Sequence, residues 1–167
     1  MKEFEELIRR FDLKPHPEGG FFKETYRSEG KISEASLPKA YSGERNYATS
    51  IYFLLTSDMF SAFHKINQDE IWHFYAGTPL RIHCISKEGN YEAHDMGTDF
   101  DSNLVPQVVI PGGSWFAAET LHPNSYSFVG CSVAPGFDFD DFVLPTQKEL
   151  LEKFPDHEPL IRRLTRI

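Results

Sequence analysis

Cysteine is nearly absent from this chain: Cys84 and Cys131 are the only two in 167 residues. This excludes a disulfide-dense scaffold. Each cysteine sits in a strand-like run without a nearby partner, so both read as buried, reduced thiols. Long apolar runs are also lacking. The best, Ala48–Leu55, falls far short of the roughly 20 residues that span a bilayer and reads as a buried strand. Positive charge is scarce. Seventeen Lys and Arg against 25 Asp and Glu give a net charge of −8, and such a surface repels phosphate backbones, which argues against a nucleic-acid partner. The N-terminus, Met1-Lys2-Glu3-Phe4-Glu5-Glu6, carries no apolar signal segment. A cytoplasmic protein without membrane partners is the expectation.

Aromatic residues are plentiful: 15 Phe, 7 Tyr and 2 Trp, alongside 11 Gly and 11 Pro. Aromatics favour pleated surfaces, and Gly and Pro punctuate turns. The length suits a single domain. Phe4, Leu7, Ile8 and Phe11 share one face of a short helix that ends before Pro15. Strands are predicted over 21–27, 49–55, 61–66, 70–75, 80–86, 91–96, 107–110, 114–118 and 125–133. Hairpin loops are expected at 67–69 and 87–90, and a long loop at 29–46. Thr146 and Glu149 form a capping box for a C-terminal helix, and Asp156 is expected to cap a last one carrying Leu160 and Leu164. Residues 1–14 thus read as a helix, 18–142 as a β-barrel or sandwich, and 145–167 as helices.

Chemistry concentrates in 63–77, Phe-His-Lys-Ile-Asn-Gln-Asp-Glu-Ile-Trp-His-Phe-Tyr-Ala-Gly. Strand alternation puts His64, Ile66, Glu70, Trp72 and Phe74 on one face and His73 on the other. A face of His, Glu and aromatics suits a partly apolar small-molecule pocket. Burial raises the pKa of such a Glu, a neighbouring carboxylate raises that of the His, and the pair can exchange a proton near neutral pH.

The spacing His64-x-Ile66-x3-Glu70-x6-Gly77 resembles the first motif of the cupin superfamily, and Pro111-Gly112-Gly113-Ser114-Trp115-Phe116 resembles the second. Residues 18–28, 69–77 and 133–142 are similar to a single-domain cupin family of unknown function. The resemblance implies a mainly β fold, a cupin-type jelly roll with short terminal helices, and a homodimer for which Leu160 and Leu164 offer a face. It also implies a metal held by two His, a Glu and a later His, of which His64 and Glu70 are kept while Ile66 and Phe116 stand at the other two positions. Two ligands are too few for a tight site, so no metal or other cofactor is expected unless a bulge near 71–72 turns His73 inward.

The pocket is expected to gather Trp72, Phe74, Gln107, Trp115 and Phe116 around His64 and Glu70. Three functions stay open: a metal-independent enzyme, isomerase- or epimerase-like, using the His64/Glu70 pair; a non-catalytic ligand-binding module; and, more weakly supported, a metal-dependent cupin enzyme. Asp138, Asp140 and Asp141, alternating with Phe137, Phe139 and Phe142, read as an edge strand or tail with a charged outer face.

Overall fold

A computed structural model describes residues 3–166. Helix α1 (Glu3–Phe11) is followed by β1 (Lys14–Pro15), β2 (Phe21–Arg27), β3 (Lys31–Ile32), β4 (Arg45–Asn46), β5 (Thr49–Thr56) and β6 (Ser61–His64). Next come β7 (Asp69–Gly77), β8 (Leu80–Ile85), β9 (Tyr91–Met96), β10 (Gln107–Ile110), β11 (Trp115–Thr120) and β12 (Tyr126–Ala134). The chain closes with α2 (Gln147–Lys153) and α3 (Glu158–Leu164). A six-stranded antiparallel sheet runs β1-β2-β5-β12-β7-β10, and a four-stranded one runs β6-β11-β8-β9. The expected loop at 29–46 holds the small β3–β4 ladder.

Alternation sorts each strand's residues between two compartments. Phe53, Trp72, Phe74, Ile82, Phe116 and Val129 fill the space between the sheets. Each large side chain fully buried there is worth about 1.5–3 kcal/mol. Phe63, Ile85, Trp115 and Ala117 point the opposite way and are covered by Leu150, Phe154, Ile161 and Leu164 of the C-terminal helices. Helix α1 lays Phe4, Leu7, Ile8 and Phe11 on the outer face of the larger sheet, against Leu54 and Phe128.

The helix face proposed for a dimer is spent inside the chain, because Leu164 is buried and Leu160 packs against the same cluster. The capping box forms as expected: the Glu149 N–H donates to Thr146 Oγ1 at 3.2 Å, and the Thr146 N–H donates to Glu149 Oε2 at 2.8 Å. Asp156 caps nothing. It lies in a 3-10 turn, Pro155–His157, and α3 begins after His157 without a side-chain cap.

The hairpin expected at 67–69 is not one. β6 pairs with β11, placing His64 opposite Phe116, whereas β7 pairs with β10 and β12 in the other sheet. Residues 65–68 cross between the sheets. The crossing is held by Lys65 bonding Val143 in both directions and by the Gly113 N–H on the Ile66 carbonyl. A run of only three polar residues between strands looks like a tight turn in sequence. What prevents one is that each strand finds a different partner.

Candidate functional site

Between the sheets lies a cavity of about 240 Å³. β2 lines it with Phe22, Glu24 and Arg27, β5 with Thr49, Ile51 and Phe53, and β12 with Cys131 and Val133. His64, Ile66 and Glu70 complete the wall from the β6–β7 crossing, His16 and Glu18 from the turn before β2, and Phe137, Asp138, Phe139 and Phe142 from the segment after β12. Glu18, His64, Glu70 and Cys131 are each at most 8% exposed and form the closed end. Phe139, 54% exposed, stands at the opening.

The closed end is a proton inventory. His64 Nδ1 is 2.7 Å from the Ala62 carbonyl, which can only accept, so Nδ1 carries a hydrogen. His64 Nε2 lies 3.1 Å from Glu18 Oε2. A lone pair facing a carboxylate would repel, so one proton is shared between them. Burial pulls the His64 pKa down and pushes the Glu18 pKa up. Both shifts favour the neutral pair, a carboxylic acid beside an uncharged imidazole. Glu18 Oε1 accepts from Ser61 Oγ at 2.7 Å. His16 Nδ1 accepts the Glu18 N–H at 3.3 Å, and burial holds this ring neutral too. Glu70 has no ion pair with Lys or Arg among the described residues, and His64 is the basic group that acts on it. Burial raises its pKa to about 7, against the counter-pull of His64. Burial and the adjoining carboxyls also keep the Cys131 thiol protonated, well above its ordinary value.

Glu18 is placed by backbone geometry. Gly19 and Gly20 have φ of 114° and 77°, a region that suits glycine. A Cβ on Gly19 would strike the Phe60 carbonyl. The segment carrying Phe137, Phe139 and Phe142 is pinned by Asp141, which is buried rather than on a charged outer face. Asp141 accepts from Arg45 Nε at 2.8 Å and Nη2 at 2.9 Å, from Gln68 Nε2 at 2.8 Å and from Asn67 Nδ2 at 3.1 Å. One carboxylate therefore ties the aromatic wall to the crossing that separates His64 from Glu70.

Of the residues expected around the pocket, His64 and Glu70 line it. Trp72, Phe74 and Phe116 face inward as alternation requires, but they pack in the core without lining the cavity. Phe116 packs tilted against His64 at 4.1 Å between ring centroids, and Trp72 packs edge-on to Phe53 at 5.8 Å. Trp115 points outward beneath the C-terminal helices, since neighbouring residues of one strand cannot both face in. Gln107 is exposed on the edge strand β10, where Val108 and Ile110 take the inward positions. His73 lies on the outer face, its Nε2 3.4 Å from Ser132 Oγ. The irregularity in the β7–β12 pairing falls between Phe128 and Val129, opposite 74–76 and not at 71–72.

His16, Glu18 and the 137–142 aromatics were missed as site residues. The signals for them were a Glu followed by two glycines and the alternation of Phe with Asp, neither of which specifies a position in space.

The residues present do not fit the metal site of the cupin motif that the sequence resembles. Ile66 and Phe116 are buried apolar side chains at two of the four ligand positions, and His64 Nε2 is already directed at Glu18. Among the described residues no group of three or more His, Cys, Asp or Glu is arranged to hold a metal ion. Nor does any helix among them have the length and apolarity to cross a membrane.

Comparison with known proteins agrees with this architecture. An X-ray structure of a Shewanella oneidensis protein superimposes with a TM-score of 0.89 at 37% identity, over 99% of both chains. A hypothetical protein from Leishmania major superimposes with a TM-score of 0.88 at 34% identity, over 98% of both. Oxalate decarboxylase from Bacillus subtilis matches at 0.54 with 13% identity, over 92% of this chain and 37% of that one, a likeness of fold alone. An uncharacterized protein of Saccharomyces cerevisiae is 35% identical over 147 residues, 82% of this chain and 72% of its own length. The family described as cupin superfamily (DUF985) matches residues 5–145, and the chain belongs to it.

Proposed function

We propose that this cupin binds a small molecule between its sheets and moves a proton on it without a metal, as an isomerase- or epimerase-like enzyme. The observation that carries this reading is the convergence of two differently tuned proton sites on one cavity: Glu70, with a pKa raised to about 7, and the Glu18–His64 pair 3.1 Å apart. Pairs of titratable groups set apart by their surroundings are how one site supplies acid and base together. Ionised Glu70 takes a proton from a carbon next to a carbonyl, and the C–H electron pair becomes the C=C bond of an enol. The carbonyl oxygen takes the proton shared by Glu18 and His64. The enol O–H then gives its proton back to the Glu18–His64 pair, and a proton from water added to the opposite face, with Glu70 releasing its own to solvent, completes an epimerisation. Where the deprotonated carbon carries a hydroxyl, that hydroxyl gives up its proton instead, its oxygen becomes the new carbonyl, and protonated Glu70 delivers to the former carbonyl carbon, which completes an isomerisation with no co-reactant.

A non-catalytic binding module is the second reading. It is favoured by the Glu18 carboxyl being already engaged by Ser61 and His64, a network that satisfies itself. Solvent-deuterium incorporation into small carbonyl compounds, followed by proton NMR, separates the two. The enzyme reading expects incorporation that His64→Asn and Glu70→Gln abolish while both variants remain folded at the assay temperature. Incorporation equal to that in buffer, with a ligand still bound, leaves the binding module.

A further inference from the structure

The cavity is lined by one guanidinium, Arg27, and four of its five N–H groups are engaged. Nε and Nη2 donate to the two oxygens of Glu24 at 2.9 and 2.8 Å. Nη1 donates to Asn46 Oδ1 at 2.9 Å, and Nη2 also reaches the Phe137 carbonyl at 3.1 Å. Four carboxyl groups face the same space, Glu18, Glu24, Glu70 and Asp138, and among the described residues no lysine does. An entering phosphate or carboxylate would leave water for a site with no free cation and several potential negative charges, a cost that low dielectric magnifies. An ammonium meets carboxyls that are already engaged: Glu24 by Arg27, Glu18 by Ser61 and His64, and Asp138 by the Asp140 N–H, while burial favours the neutral form of Glu70. Arg27 also stands among the lining residues and repels it. The volume of about 240 Å³ lies below the roughly 300 Å³ at which sites for drug-sized ligands begin.

We infer that the substrate is a compact, uncharged carbonyl compound with an apolar ring or branched body, and that phosphorylated, carboxylated and nucleotide-linked compounds are rejected. This rests on the proton-transfer reading and narrows it. A nucleotide-linked sugar needs free basic groups for its phosphates, and the one at hand is spent on Glu24.

The test uses three cyclohexanones that differ in the charge carried at C4, cyclohexanone, 4-oxocyclohexanecarboxylate and 4-aminocyclohexanone, with 4-oxocyclohexanecarboxamide as the uncharged match in size for the carboxylate, expected to bind tighter than it. Each is titrated calorimetrically into the full chain and then followed for α-proton exchange in deuterium oxide. Cyclohexanone is expected to bind about tenfold or more tighter than the carboxylate and at least as tightly as the amine. Glu24→Gln releases Arg27 and is expected to strengthen carboxylate binding about fivefold or more, as a freed guanidinium gains a charge-assisted partner. A carboxylate that binds as well as the ketone, an amine that binds better, or no binding of any probe at millimolar concentration overturns the uncharged class. So does a Glu24→Gln variant without gain for the carboxylate. Preferential ketone binding with exchange no faster than in buffer upholds the class and sinks the proton-transfer reading.

Discussion

Glu18 and His64 face each other across 3.1 Å at the closed end of the cavity, with the far nitrogen of the imidazole committed to the Ala62 carbonyl. That arrangement requires one proton between them, and burial, which raises the Glu18 pKa and lowers that of His64, favours Glu18 as its carrier. Glu18→Gln keeps the hydrogen-bond count, because its amide N–H can donate to His64 Nε2 and its oxygen can accept from Ser61. Glu18→Ala leaves both partners buried and unpaired. Urea denaturation should show Glu18→Ala destabilised by about 1–3 kcal/mol per orphaned group, and Glu18→Gln by much less. Equal losses would mean that His64 is an imidazolium held by a carboxylate.

Glu70 makes stability depend on pH with a defined sign. Its folded pKa of about 7 lies above its ordinary value of 4.5. The folded state therefore binds more protons between these values, and the contribution is fully present below pH 4.5 and lost as pH rises through 7. Across that window the wild type should lose about 3 kcal/mol relative to Glu70→Gln. His16 and His64, with lowered pKa values, act in the opposite sense below their ordinary 6.5, and comparison with the variant subtracts them. Denaturation curves for both proteins from pH 4 to pH 8 check this, and a constant difference would refute it.

Asp141 and Arg45 are both buried and bonded through two oxygens. Asp141→Asn strands the guanidinium, and a loss of about 3–5 kcal/mol is expected. Arg45→Met with Asp141→Leu should lose less than the single change. Hydrogen exchange should also speed up at 136–142 in Asp141→Asn, because that segment loses its tie to the crossing. Protection unchanged there would separate the ion pair from the aromatic wall.

Gly19→Ala combines a positive φ with a collision against the Phe60 carbonyl. Strain of this kind costs about 1–3 kcal/mol and displaces the neighbouring Glu18. Loss of stability together with loss of ligand affinity is the expected outcome of thermal denaturation and titration.

Elemental analysis of the purified protein is expected to find no transition metal in stoichiometric amount, and chelation should leave the melting temperature unchanged. The reason is the donor set: Ile66 and Phe116 occupy two cupin ligand positions. About one zinc, iron or nickel per chain would overturn this and reopen the metal-dependent reading.

By itself the sequence determined which residues lie inside. Alternation along 61–77 put His64, Glu70, Trp72 and Phe74 on the buried side, and the structure keeps all four there, because side-chain parity is a local property of the backbone. Nine of the twelve described strands and the capping box at Thr146 were legible in the same way; the two-residue strands β1, β3 and β4 were not. What only the tertiary structure decided is which inward residues meet empty space. Trp72, Phe74 and Phe116 pack in the core, while the cavity opens toward β2, β5 and the segment after β12. Glu18 precedes His64 by 46 positions in the chain, and Phe142 follows it by 78. No periodicity spans such distances. Sheet pairing brings the first to the imidazole, and the Arg45–Asp141 pair holds the second. The same pairing sends β6 and β7 to different sheets, so that His64 and Glu70 reach one cavity from two separate walls.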